Sequence, residues 1–104
     1  MITNPERKNS LPERIKPGCV AAASELAVCI DLINQGWDVF RAVSPQHPFD
    51  LIAVRGMCKL EIEVRTSNTV KGRMNAGKHG RYDVLAIVRG SAVEYRPPLP
   101  IVEI

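Results

Sequence analysis

The chain has 104 residues, 45% apolar and 24% charged, with a formal net charge of +3. That length supports a single hydrophobic core but not two, and the composition is that of a globular domain rather than a disordered polyelectrolyte. No apolar run approaches a membrane span and no apolar leader is recognisable, so the sequence predicts a cytoplasmic protein without membrane contact. A pI near 9.0 is compatible with a polyanionic partner but identifies none.

Cys19, Cys29 and Cys58 are scattered and odd in number, without a C-x-x-C pair. They fit reduced thiols packed as small apolar residues, and His47 and His79 share no metal-ligand spacing with them.

Residues 1–17 lack an apolar period, and Arg7, Lys8, Arg14 and Lys16 outnumber Glu6 and Glu13 there. This stretch reads as a mobile arm, with a DNA-contacting tail as the alternative, and residues 18–104 read as one folded domain. A helix is predicted over residues 18–34. Val20, Ala23, Ala27, Ile30 and Ile33 recur at helical spacing as its apolar stripe, and Ser24, Asp31 and Gln35 fall on the opposite, solvent side. Gly36 suits the left-handed residue after the helix end.

Strands are predicted at residues 37–43, 49–54, 59–66, 82–88 and 92–96. A turn covers 44–48, a hairpin forms at Arg55-Gly56, and Gly90-Ser91 leads into an edge strand closed by Pro97-Pro98. One long helix followed by a meander makes the class α/β or α+β around a mixed central sheet. Residues 67–80, "SNTVKGRMNAGKHG", hold three glycines and two asparagines and predict a loop. No acidic residue occurs between Glu63 and Asp83, and that span contains Arg65, Lys71, Arg73, Lys78 and Arg81. It is either a solvated connection or a surface for phosphates.

The stretch "PFDLIAVRGMCKLEIEVRT", residues 48–66, places carboxylates on adjacent strands. Alternation puts Glu61, Glu63 and Arg65 on one face of their strand, and the hairpin brings Asp50 near Glu63 because paired strands lie about 4.8 Å apart. Two carboxylates that close repel unless a cation neutralises them, and oxygen-only donors suit a hard divalent ion, above all Mg²⁺. The plainer alternative is a solvent-facing strand with Glu63 paired to Arg65 or Arg55. Glu61 reads as a further charge held by Arg65 or Lys59, and His47 as a surface histidine. Glu25 shares its helix stripe with the small Ala22 and Cys29, a costly place for a carboxylate without a partner.

These residues resemble the core of the PD-(D/E)XK nuclease superfamily, most closely its small group I intron homing endonucleases. Pro48 and Asp50 stand for "PD", and Glu63-Val64-Arg65 for "E-x-K". The likeness extends over the preceding helix with Glu25, the "GWDVFRAVSP" strand and the later "YDVLAIV" strand. It implies a restriction-endonuclease-like fold, with the second core helix short or absent here. It further implies Mg²⁺, replaceable by Mn²⁺, held by Asp50, Glu63, the Val64 carbonyl and Glu25, and hydrolysis of DNA phosphodiester bonds by a homodimer or larger assembly. Lys71, Arg73, Lys78 and Arg81 would hold the DNA backbone.

The sequence departs from the superfamily at Arg65, where lysine is usual. Arginine keeps the charge but cannot exchange a proton near neutrality, so it would act electrostatically. Lys59 and Lys71 are possible migrated substitutes. A catalytically silent nuclease fold, kept for DNA binding or assembly, is the competing expectation.

Overall fold

The computed structural model describes residues 16–44, 49–67 and 81–103. Helix α1 spans Pro17–Asn34, and five strands follow: β1 (Asp38–Arg41), β2 (Leu51–Arg55), β3 (Cys58–Thr66), β4 (Val84–Arg89) and β5 (Ala92–Arg96). They form one sheet in the order β1-β2-β3-β4-β5. Only the β3–β4 pair is parallel, so the sheet is mixed.

Pro17 opens α1 at a position where its missing N–H costs nothing. The helix ends on Gly36 at φ 95°. The Gly36 N–H donates to the Ile33 carbonyl and the Trp37 N–H to the Leu32 carbonyl, both at 3.0 Å, a pattern that closes a helix through a left-handed residue. Arg55 locks the same corner. Its Nη1 donates to the Gln35 carbonyl at 2.9 Å and its Nε to the Val102 carbonyl at 3.3 Å, placing a cation at the negative end of the helix. Both hairpins have two-residue turns, Gly56-Met57 and Gly90-Ser91, each with its glycine at positive φ. The first therefore lies one residue beyond its predicted place.

One face of the sheet packs on α1. Val28 and Leu32 of the helix meet Leu51, Ala53, Ile62, Val84, Ala86 and Val88, with Trp37 sealing the helix end. The register is consistent across the sheet. Leu51 pairs with Ile62, Ile62 with Val84, and Ala86 with Tyr95, so all of them share the helix-facing side.

The face of α1 that meets the sheet differs from the predicted one. Ile30 and Ile33, placed in the buried stripe, are 59% and 57% exposed, and Leu26 is exposed beside them. Ser24, assigned to solvent, is only 5% exposed and shares a 2.5 Å hydrogen bond with the Thr66 hydroxyl. Asp31 accepts hydrogen bonds from the Tyr95 hydroxyl at 2.6 Å and from Gln35 Nε2 at 2.8 Å. The helix is apolar around most of its circumference, so periodicity does not single out one face. Polar partners on the sheet decide the rotation, because each polar helix residue turned inward must be matched.

Burial, followed by the Asp31 contact, drives the Tyr95 phenol far above its ordinary pKa. All three cysteines are free, with Cys29 buried and Cys19 exposed. Burial also raises the Cys29 thiol pKa. Among the described residues, no helix is long and apolar enough to cross a membrane.

Candidate active site

Asp50 sits where β2 begins, and its backbone is shared between two neighbours. Its N–H donates to the Ile62 carbonyl of β3 at 2.8 Å, and its carbonyl accepts from the Ala42 N–H, just beyond β1, at 2.9 Å. The side chain continues the ladder that the backbone leaves. Asp50 Oδ2 accepts the Val64 N–H at 2.7 Å, so the carboxylate lies beside the β3 main chain at the opening end of the β2–β3 pair. A residue's N–H and C=O point the same way from an extended strand, which turns the Val64 carbonyl to this side as well.

Glu63 and Arg65 alternate with Ile62, Val64 and Thr66. Since Ile62 is in the core and Thr66 bonds the helix, Glu63 and Arg65 belong to the sheet face turned away from α1. They pair with each other, Arg65 Nε donating to Glu63 Oε2 at 2.9 Å. Asp50 feels both. Burial raises its pKa first, the Val64 N–H opposes that shift, Glu63 raises it further and Arg65 lowers it. A half-buried carboxylate with another negative group nearby is held at an electrostatic cost.

Glu25 lies on the other side of the sheet. Arg41 at the end of β1 reaches it, with Nη2 3.0 Å from Glu25 Oε1. In the β1–β2 register Arg41 pairs with Leu51, next to Asp50. An arginine paired with a glutamate therefore stands on each of the strands either side of the one that begins at Asp50, Arg41 with Glu25 of the helix and Arg65 with Glu63 of its own strand. The Glu25 carboxylate has a cationic partner, the condition that its position on α1 demanded, and the partner is a residue the sequence reading did not select. The one sequence signal for Arg41 was its phase. It shares a strand face with Val39, which packs on the core, so it projects toward the helix.

Glu61 is joined through its backbone to Asp83, whose Oδ2 accepts the Glu61 N–H at 2.8 Å while the Asp83 N–H donates to the Glu61 carbonyl. Arg65 is engaged by Glu63, and Arg55 by the end of α1, not by the site. Lys59 is exposed on β3 opposite Val54. Arg81 is exposed just before β4. Lys71, Arg73 and Lys78, like His47, His79 and the predicted arm up to residue 15, lie outside the described residues.

Among the described residues, no three His, Cys, Asp or Glu side chains are gathered closely enough to hold a metal ion. Asp50 and Glu63 are nonetheless oxygen donors of the kind a hard divalent cation takes, and Asp50 Oδ1 and Glu63 Oε1 are not used in the bonds to Val64 and Arg65. The electrostatic cost at Asp50 is one that such a cation would relieve, so the donor chemistry fits.

No protein-family model and no curated protein matches the sequence. Similarity appears at the level of structure. A bacterial homing endonuclease, I-Ssp6803I, superimposes with a TM-score of 0.60 at 15% identity, over 71% of this chain and 58% of that one. The chain thus spans less than two thirds of that enzyme's length. With its mixed five-stranded sheet and single described helix, this protein has a nuclease-like fold similar to that homing endonuclease.

Proposed function

We propose that the protein is a divalent-metal-dependent endonuclease that hydrolyses phosphodiester bonds in DNA. The observation that carries this reading is the placement of Asp50 against the Val64 N–H, electrostatically coupled to Glu63 and Arg65, in a homing-endonuclease-like fold. Asp50, Glu63 and the Val64 carbonyl would hold Mg²⁺ or Mn²⁺, whereas Glu25, on the other side of the sheet and paired with Arg41, stands outside this donor set. When bound, the ion supplies Lewis-acid polarisation of the phosphodiester. Arg65, kept in place by Glu63, neutralises charge that develops on the phosphoryl oxygens. Arg81, together with Lys71, Arg73 and Lys78, would hold the DNA backbone and contribute affinity with little sequence information.

Double-strand cleavage by a domain of this size calls for a second copy. The exposed Leu26, Ile30 and Ile33 stripe of α1 is uncharged, which suits association with a second copy.

The test is a nicking assay on supercoiled, linear and branched DNA with Mg²⁺ and Mn²⁺. Wild type should cut, Asp50→Ala and Glu63→Ala should lose both cutting and metal binding, and Arg65→Ala should lose cutting alone. Arg65 itself favours a second reading, a silent nuclease fold retained for DNA binding or assembly, because arginine exchanges no proton and its Nε is committed to Glu63. If wild type and Arg65→Lys both bind DNA and neither cuts with either metal, the second reading replaces the first.

A further inference from the structure

The geometry points to Arg41 as a second phosphate-binding cation, at the end of the strand beside Asp50 and on the helix side of the sheet whose other face carries Arg65; the inference rests on the nuclease reading above. Four observations support it. Arg41 ends β1 beside the strand that begins at Asp50, and the next residue, Ala42, donates its N–H to the Asp50 carbonyl. Its side chain is 49% exposed, against 24% for Glu25, so the arginine is the more open member of the pair. Its contact with Glu25 is made through Nη2, and a guanidinium carries five N–H donors in a fork that matches phosphate oxygens. Finally, Glu25 restrains the side chain without covering it, which lowers the entropy lost when an anion arrives.

Arg41 and Arg65 stand on strands two steps apart, roughly 10 Å in the hydrogen-bonding direction. Because they project from opposite faces of the sheet, they would hold different phosphates of one DNA strand rather than close onto one.

The test reads DNA binding rather than turnover. Affinity of the full chain for a short duplex is measured by fluorescence anisotropy in Ca²⁺ across a salt series, for wild type, Arg41→Gln, Arg41→Lys and Glu25→Gln. Arg41→Gln keeps most of the stem and should flatten the slope of log K against log salt by about 0.9, the share of one phosphate contact. Its affinity loss between 50 and 200 mM salt should be about 3.5-fold smaller than that of wild type. Arg41→Lys should restore the slope. Glu25→Gln, which breaks the ion pair but leaves the guanidinium, should keep the wild-type slope, whereas a purely structural pair would make both single variants behave alike.

Folded Arg41→Gln with an unchanged slope overturns the inference and leaves the nuclease reading standing. Wild type that binds no DNA overturns both. Should Arg41→Gln not fold, Arg41→Lys and Glu25→Gln decide: an altered slope in Glu25→Gln, or one in Arg41→Lys unlike wild type, overturns it.

Discussion

The Ser24–Thr66 hydrogen bond is the most direct test of how α1 is seated. Ser24 is nearly inaccessible and Thr66 ends β3, so each hydroxyl has the other as its partner across the helix–sheet junction. Ser24→Ala leaves the Thr66 hydroxyl unmatched, at a cost of about 1.5 kcal/mol. For a domain of this size that lowers Tm by roughly 6–12 °C. Thr66→Val keeps the branched shape and removes the other hydroxyl, but Ser24 can turn to the carbonyl one helical turn earlier. Its cost should be smaller, about 0.5–1 kcal/mol. The double variant leaves neither hydroxyl stranded, so it should be more stable than the sum of the singles by about 0.5 kcal/mol or more. Thermal or urea unfolding of the four proteins measures all of these quantities. Additive costs, or a double variant worse than the sum, would refute the shared bond and with it the rotation of α1 described above.

Three further outcomes follow from other parts of the molecule. Gly36→Ala should destabilise strongly, by about 1–3 kcal/mol on backbone grounds alone. A Cβ there would also lie 1.8 Å from Arg55 Nη1, and combining it with Arg55→Ala should relieve only that clash in an unfolding series. Asp50→Asn keeps an acceptor for the Val64 N–H while removing a charge whose pKa folding raises. A raised carboxyl costs stability only once it ionises, so the variant should be more stable than wild type above the carboxylate range. The gain should vanish at pH values below the unfolded carboxyl pKa, as urea midpoints across pH would show. Ile62→Ala should cost about 2–5 kcal/mol in the same assay, because Ile62 is fully buried between Leu51 and Val84.

What the sequence disclosed depended on how local the signal was. The β2–β3 hairpin, the β5 edge and the Gly36 terminus were legible because period-two alternation and glycine in turns are written in a few adjacent residues. Asp50, Glu63 and Arg65 followed from the same alternation. The buried face of α1 was not legible, since Val20, Val28, Leu32 and Ile33 all read as apolar and only Thr66, Arg41 and Tyr95, distant in the chain, select among them. Arg41 escaped notice for the same reason. An isolated arginine at the end of a strand carries no pattern until Glu25 is placed beside it.

The two-residue turn between β2 and β3 has a consequence for how such a chain can vary over generations. Arg55 faces Cys58 across Gly56-Met57, and every pairing up to Leu51 with Ile62 is counted from that turn. Because neighbouring residues point to opposite faces, a one-residue insertion there would carry Glu63 and Arg65 toward the helix and Ile62 toward solvent. Insertions of even length keep the phase. Lineages descending from such a protein should therefore accumulate substitutions at the exposed positions of β2 and β3 while admitting length changes at this turn only in pairs, the hairpin acting as a parity check on the chemistry beside it.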